Sequence, residues 1–142
     1  MPVIAAVAAP FGRDVEEGLA RIGRLLDRAR AAGAELVVLP ESALGGYIRE
    51  GGAAPDLPVG LQPDGPEIAR LTALAGDLVV CAGYTEAHAG HLYSSAVCVS
   101  GDGVLGHQRK VHLPPGERFA FRAGDGPAVA EAPPEVAEAT TA

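Results

Sequence analysis

Three charged side chains follow chain segments with the character of buried strands. Glu41 comes one proline after the apolar run at residues 36–39, Lys110 ends a second run at residues 104–110, and Glu117 follows in a Pro-Gly turn. A carboxylate held partly out of water can act as a general base, and a desolvated lysine ammonium can stabilise a developing oxyanion. Glu117 is placed to keep Lys110 charged.

Each of these residues also has a structural interpretation. Glu41 could cap a helix or pair with an arginine, Lys110 could be an edge-strand lysine that discourages aggregation, and Glu117 could simply be solvated. Taken singly, these interpretations are favoured, because structural carboxylates outnumber catalytic ones. The functional interpretation depends on the residues occurring together at strand ends, where open α/β sheets bind their ligands.

The segments that carry these residues predict an α/β fold. Residues 3–8 indicate a buried strand, and Asp14 with Glu17 forms a capping-box-like start to a helix. That helix repeats its apolar residues on one face, at Val15, Leu19, Ile22, Leu26 and Ala29. Gly33 is typical of a left-handed helix end, and residues 36–39 indicate a second buried strand. We therefore predict a βαβ unit with adjacent parallel strands.

The remaining sequence predicts a loop and then an antiparallel meander. Residues 42–63 are rich in Gly, Pro and Ala and predict a long loop, and residues 65–75 predict a helix. Strands are expected at residues 77–84, 92–100 and 104–110, joined by tight turns at residues 87–90 and 101–103. We expect one domain at residues 1–126. Residues 127–142 have few large apolar side chains, which predicts a disordered tail.

Composition and charge exclude several classes of protein. The sequence has 142 residues and a net charge of −7, which argues against nucleic-acid binding, since that needs clustered Lys and Arg. No apolar stretch approaches the ~20 residues that span a bilayer, so no membrane partner is expected. The N-terminus lacks the pattern of a signal peptide. We expect a cytoplasmic, reduced protein.

Neither the cysteines nor the histidines indicate a second site. Cys81 and Cys98 lie in apolar β-like runs and are interpreted as buried small hydrophobic residues, because two cysteines do not make a disulfide framework. The histidines offer no set of three convergent ligands of the kind that zinc needs; they are His88, His91, His107 and His112. No metal is expected.

Two separate motifs resemble those of one family. Residues 39–47, Leu-Pro-Glu-Ser-Ala-Leu-Gly-Gly-Tyr, resemble the glutamate motif of the nitrilase, or carbon–nitrogen hydrolase, superfamily. Residues 109–114, Arg-Lys-Val-His-Leu-Pro, together with Glu117 resemble its lysine motif. Residues 92–97 fit the connecting pattern, although the family more often has asparagine where this chain has Ser94. The Gly-Asp step at residues 124–125 also matches, so the resemblance covers residues 3–125.

The resemblance implies a fold and a chemistry. It implies the N-terminal half of a four-layer α-β-β-α sandwich, a mixed sheet with flanking helices. Members hydrolyse non-peptide C–N bonds in amides, N-carbamoyl compounds or nitriles through an attacking cysteine. By position, Glu41 would be the general base, Lys110 would stabilise the tetrahedral intermediate, and Glu117 would support them. The resemblance implies no metal or organic cofactor, a small amide or nitrile as substrate, and assembly into dimers or larger oligomers.

One residue of the pattern has no counterpart here. The family's cysteine follows the lysine by a few dozen residues, whereas Cys81 and Cys98 precede Lys110, and the chain is about half the family's usual length. Three hypotheses remain: a truncated and inactive hydrolase, a non-catalytic binding or assembly module, or one fragment of a split hydrolase whose partner carries the cysteine. We favour the first, because residues 127–142 lose the apolar patterning of the preceding sequence.

Overall fold

The fold is a mixed five-stranded sheet with two helices. The computed structural model describes residues 1–48 and 57–129. In chain order the elements are β1 (Ile4–Ala6), α1 (Val15–Ala31), β2 (Leu36–Val38), α2 (Pro66–Ala75), β3 (Val79–His88), β4 (His91–Ser100), β5 (Gly103–Arg109) and a short 3₁₀ helix (Pro115–Glu117).

The sheet has its strands in chain order, from β1 to β5. β1 pairs in parallel with β2 and β2 in parallel with β3, while β3, β4 and β5 form an antiparallel meander. The predicted βαβ unit and the predicted meander are both confirmed. Most strand boundaries differ from the predicted ones by one or two residues, while β3 extends to His88, four residues beyond its predicted end.

Helix α1 begins and ends where its sequence predicts. The Asp14 side chain accepts a hydrogen bond from the Glu17 amide at 3.0 Å, which satisfies one of the free N–H groups of the first turn. Gly33 has a φ of 76° and follows the helix, in a conformation that glycine adopts without a Cβ penalty. Neither helix in the described parts of the chain has the length and apolar character to cross a membrane.

The two faces of the sheet differ in what covers them. Val37 is 0% exposed and packs with Leu26 of α1 and Leu71 of α2 in the main core, whereas the next residue, Val38, is 41% exposed. Alternation along the strands accounts for this difference, since successive side chains point to opposite faces. We call the face that contains Val37 and packs against the two helices the helix face, and the opposite face, which contains Val38, the open face.

Part of the predicted architecture lies outside this structure. The described residues form one sheet and one helical layer, and the second sheet and second helical layer that the resemblance implies are not among them. The predicted loop at residues 42–63 is partly described, and residues 49–56 of it lie outside the described residues. Of the predicted disordered tail, only residues 127–129 are described, and they are exposed and without regular structure.

The interpretation of the two cysteines as unpaired is wrong. Cys81 and Cys98 are joined by a disulfide, with their Cα atoms 4.2 Å apart. The reason is the register of the hairpin, which places these two residues directly opposite each other on β3 and β4. Opposed residues of antiparallel strands have Cα atoms about 4.5–5.5 Å apart. Sequence spacing alone does not reveal such a pairing.

A buried ion pair lies on the helix face of the meander. Glu86 is 0% exposed, and Arg109 Nε lies 3.1 Å from each of its carboxylate oxygens. Ser95 Oγ donates to Glu86 Oε2 at 2.7 Å, and the guanidinium of Arg109 stacks 4.0 Å from the centre of the Tyr93 ring. Burial raises the pKa of the Glu86 carboxyl, but these hydrogen bonds and the charges of Arg109 and His107 outweigh burial and lower it.

We predict that Arg109→Met destabilises the chain by about 3 kcal/mol, because it leaves the Glu86 carboxylate buried without a cation. The measurement is the free energy of unfolding from urea titration. Arg24→Met removes an exposed arginine from α1, and this control should change stability by about 0.5 kcal/mol or less. Equal effects of the two substitutions would contradict a stabilising role for the buried pair.

The same pair predicts a dependence of stability on pH. Because folding lowers the pKa of Glu86 below its usual value of 4.5, its contribution to the free energy of unfolding is complete above that value and is lost as pH falls through the folded-state pKa. The difference in unfolding free energy between the wild type and Glu86→Gln should therefore be largest near neutral pH and shrink in acid. Glu17→Gln, at an exposed position of α1, should not show this profile.

Candidate functional site

All three side chains predicted for the site meet at one point. Lys110 Nζ donates to Glu41 Oε1 at 3.0 Å and to Glu117 Oε1 at 2.9 Å. Glu41 is 69 residues from Lys110 in the sequence, and Glu117 is seven residues from it. The contacts differ from the structural alternatives considered for these residues. Glu41 pairs with a lysine and not with an arginine, and Glu117 is paired with that same lysine and not simply solvated.

Glu41 is placed by the end of β2 and by a glycine on β3. The Gly83 amide donates to Pro40 O at 3.3 Å, which brings the chain just after β2 against β3. A Cβ on Gly83 would lie 2.6 Å from Glu41 Cα and 2.7 Å from Pro40 O. Glycine at position 83 therefore allows the close backbone approach that positions the carboxylate at the sheet.

Lys110 and Glu117 are placed by the segments that follow β5. The Lys110 amide donates to Ser94 O at 2.8 Å, and the Gly124 amide donates to Lys110 O at 2.9 Å, so the backbone of the lysine is hydrogen-bonded on both sides. Glu117 ends the short 3₁₀ helix and is 2% exposed. The turn after β5 thus folds a carboxylate back onto the lysine.

The two carboxylates keep the lysine charged. Burial lowers the pKa of the Lys110 ammonium, but hydrogen bonds to Glu117 and Glu41 and their negative charges outweigh it, so the pKa is raised above its usual value of 10.5. The side chain of Lys110 is 31% exposed, that of Glu41 50% and that of Glu117 3%. Glu41 is therefore the member of the trio that solvent or a ligand reaches most easily.

Two further side chains belong to this network. Ser94 Oγ donates to Glu41 Oε1 at 3.1 Å, and the Tyr47 hydroxyl donates to Glu117 Oε1 at 2.5 Å. The hydrogen bond to Glu117, followed by burial and the nearby negative charges, raises the pKa of Tyr47 to about 12. Both residues lie in the motifs noted above, but residue type and spacing give no indication of their hydrogen-bond partners.

An apolar cavity of about 350 Å³ lies beside the network on the open face of the sheet. Its polar residues include Glu41, Lys110 and Ser94, and much of the rest of its wall consists of Val38 and small residues of β3 and β4. A few convergent polar groups in an apolar concavity are typical of small-molecule sites. The described residues contain no cluster of His, Cys, Asp and Glu side chains that could hold a metal ion.

The arrangement provides a base and a cationic donor beside one cavity. A lysine ammonium has three protons, and Glu41 and Glu117 accept two of them, which leaves a third for another acceptor. Glu41 is within reach of solvent and can accept a proton from a bound group. Cys81 also lines the cavity, but its sulfur is bonded to that of Cys98 and is not available as a thiolate in this state.

Relatives of known activity match most of the chain. An aliphatic nitrilase from Sinorhizobium fredii is 32% identical over 139 residues, covering 84% of this chain and 44% of the relative. A nitrilase from Pyrococcus abyssi is 34% identical over 112 residues, covering 78% of this chain and 43% of the relative. An (R)-stereoselective amidase from Pseudomonas sp. is 34% identical over 97 residues, covering 67% of this chain and 34% of the relative. The chain thus spans between a third and a half of the length of these relatives.

Solved structures share the fold at lower identity. Saccharomyces cerevisiae Nit3, a member of the nitrilase superfamily, superposes with a TM-score of 0.70 at 21% identity, over 89% of this chain and 50% of that one. A double mutant of the amidase from Nesterenkonia sp. AN1 in complex with acrylamide superposes with a TM-score of 0.67 at 20% identity, over 87% of this chain and 48% of that one.

The family itself is identified by its sequence model. The model described as carbon-nitrogen hydrolase matches residues 3–136, a range that contains Glu41, Lys110 and Glu117 and most of the described fold. Together with the relatives above, this match shows that the chain belongs to the carbon–nitrogen hydrolase family, within the nitrilase superfamily.

Proposed function

We propose that residues 3–126 provide the base, the cation and the supporting carboxylate for hydrolysis of a non-peptide C–N bond in a small amide or nitrile. In this proposal Glu41 is the general base, Lys110 stabilises the oxyanion and Glu117 keeps Lys110 in place. The observation that carries it is the position of Lys110 Nζ, 3.0 Å from Glu41 and 2.9 Å from Glu117, at the wall of an apolar cavity.

For an amide, the proposed reaction runs through a thioester. Glu41 accepts the proton of a cysteine thiol, and the sulfur attacks the carbonyl carbon, whose oxygen becomes an oxyanion close to the third proton of Lys110. Glu41 then gives its proton to the leaving nitrogen, and ammonia or an amine departs. Glu41 next accepts a proton from water, which attacks the thioester and releases the carboxylic acid and the thiol.

In this proposal the attacking thiol comes from outside these 142 residues. The sequence has two cysteines, Cys81 and Cys98, which lie within strands β3 and β4 and are bonded to each other. Glu41 and Lys110 without a thiolate cannot form the thioester. We therefore propose that this polypeptide by itself is inactive, and that the sulfur belongs to a further part of a longer protein or to a second polypeptide.

The intact network favours a hydrolytic site over a non-catalytic binding module. A module selected only for folding or assembly has no need of a lysine that two carboxylates hold at a cavity. Hydrogen bonds join the five side chains of Ser94, Glu41, Lys110, Glu117 and Tyr47 into one continuous network, and such fixed contacts favour a preorganised electrostatic site.

We expect the isolated chain to release no ammonia above the buffer rate from short-chain amides, N-carbamoyl compounds or nitriles. The physical reason is the missing thiolate. The measurement is an ammonia assay on the wild type and on Lys110→Ala, which should give the same background rate. Ammonia release that Lys110→Ala abolishes would overturn the proposal that the chain is inactive by itself.

A chimera tests the proposed roles directly. Residues 1–126 are joined to the remaining part of the Pyrococcus abyssi nitrilase, the part that its 112-residue match does not cover, and the product is checked for a cooperative thermal transition. A folded chimera should release ammonia from a nitrile or amide. Glu41→Gln and Lys110→Ala should each lower the rate at least 100-fold, since a general base contributes about 10²–10⁴ and one electrostatic donor about 10²–10³.

The exposed carboxylate of Glu17 supplies the control for the chimera. Glu17→Gln removes the same charge as Glu41→Gln, at a position on α1 away from the cavity, and should leave the rate within about twofold. A folded chimera without ammonia release, or one whose rate is unchanged in Lys110→Ala, would refute the assigned roles.

A further inference from the structure

Tyr47 contacts the site through one oxygen atom that it shares with Lys110. Glu117 Oε1 accepts hydrogen bonds from the Tyr47 hydroxyl at 2.5 Å and from Lys110 Nζ at 2.9 Å. The other oxygen, Glu117 Oε2, is buried and has no hydrogen-bond partner within the described residues. These two donors are therefore the contacts that orient the carboxylate in the described structure.

The backbone that carries Tyr47 is anchored on two sides. Arg13 Nη2 donates to Tyr47 O at 3.0 Å, and Thr85 Oγ1 donates to Gly46 O at 3.1 Å. Gly46 has a φ of 77°, and a Cβ there would lie 2.5 Å from Arg13 Cγ. This segment is thus held between the loop before α1 and strand β3, which fixes where the hydroxyl of Tyr47 can lie.

We propose that Tyr47 is a positioning residue of this site, whose hydroxyl orients the Glu117 carboxylate and through it holds the Lys110 ammonium towards Glu41 and the cavity. The inference deepens the proposed function and rests on it for its catalytic meaning. The contact itself does not depend on turnover. Removal of the hydroxyl leaves more of the desolvation cost of the buried carboxylate uncompensated and takes away one of the two contacts that fix its direction. Glu117 should then turn away from Lys110.

The hydroxyl is suited to this role over a wide pH range. The hydrogen bond to Glu117 is the main cause that raises the pKa of Tyr47 to about 12, so the phenol stays protonated and acts as a donor at neutral pH. A neutral donor also adds no charge to a trio that already contains two carboxylates and one ammonium.

The test uses the fact that Lys110 is the only lysine in the sequence. The chain is labelled with [¹³Cε]lysine, so that one side-chain resonance reports the titration of Lys110. In the wild type we expect the pKa of Lys110 to lie above 10.5. In Tyr47→Phe it should fall by about half a unit or more, because the carboxylate that supports the charge is no longer held against it.

Two further variants separate positioning from general loosening of the structure. Tyr93→Phe removes the same atom beside Arg109 and should leave the titration of Lys110 unchanged. In a Glu117→Gln background, Tyr47→Phe should cause no additional shift, because the proposed effect passes through the carboxylate. An unchanged Lys110 titration in Tyr47→Phe, or the same shift in the Glu117→Gln background, would overturn the proposal.

A reciprocal measurement covers the case in which Tyr47→Phe does not fold. The tyrosines are labelled at ¹³Cζ, and Glu117→Gln should lower the pKa of Tyr47 from about 12 towards 10.0, since the anionic acceptor is gone. No change in that titration would refute the contact. These readouts need no hydrolysis, so a chimera without activity would count against the proposed function and leave the result on Tyr47 standing.

Discussion

The ammonium of Lys110, held between two carboxylates, is the interaction on which the site depends. One carboxylate comes from the end of β2 and the other from the turn after β5, so the contact closes only when the parallel and antiparallel parts of the sheet are both in place. Two anions around one cation keep the lysine protonated. They also leave one of its protons available at the cavity, as its proposed role in stabilising an oxyanion requires.

Successive side chains of β5 point to opposite faces of the sheet, which explains how one strand contributes to both the stability of the fold and the candidate site. Arg109 turns to the helix face and pairs with the buried Glu86, while Lys110, the next residue, lies beside the cavity of the open face. A slip of one residue in the register would exchange the two side chains between the faces. The buried pair therefore opposes a slip that would remove the lysine from the site. The consecutive residues Arg109 and Lys110 serve these two different purposes only because the two faces of the sheet have different surroundings.

Membership of the carbon–nitrogen hydrolase family does not by itself make this polypeptide an enzyme. The fold and the Glu-Lys-Glu trio are those expected from the family motifs, whereas the two cysteines pair with each other across β3 and β4. The described residues thus bring the charged side chains together without a free thiol among them. The relatives that it matches are at least twice as long as the matched region, and their activity belongs to their whole chains.

The sequence by itself determined the order of the elements, the cap of α1, the βαβ unit and the meander, because capping, periodicity and glycine turns are local properties. It also singled out Glu41, Lys110 and Glu117 as candidates, since the two motifs that contain them can be read from the linear sequence. Only the tertiary structure decided that these three meet, that Ser94 and Tyr47 join them, and that Cys81 pairs with Cys98. The physical reason is that a hydrogen bond or a disulfide between distant residues depends on register and backbone approach, as at Gly83, and these arise only when the strands have paired.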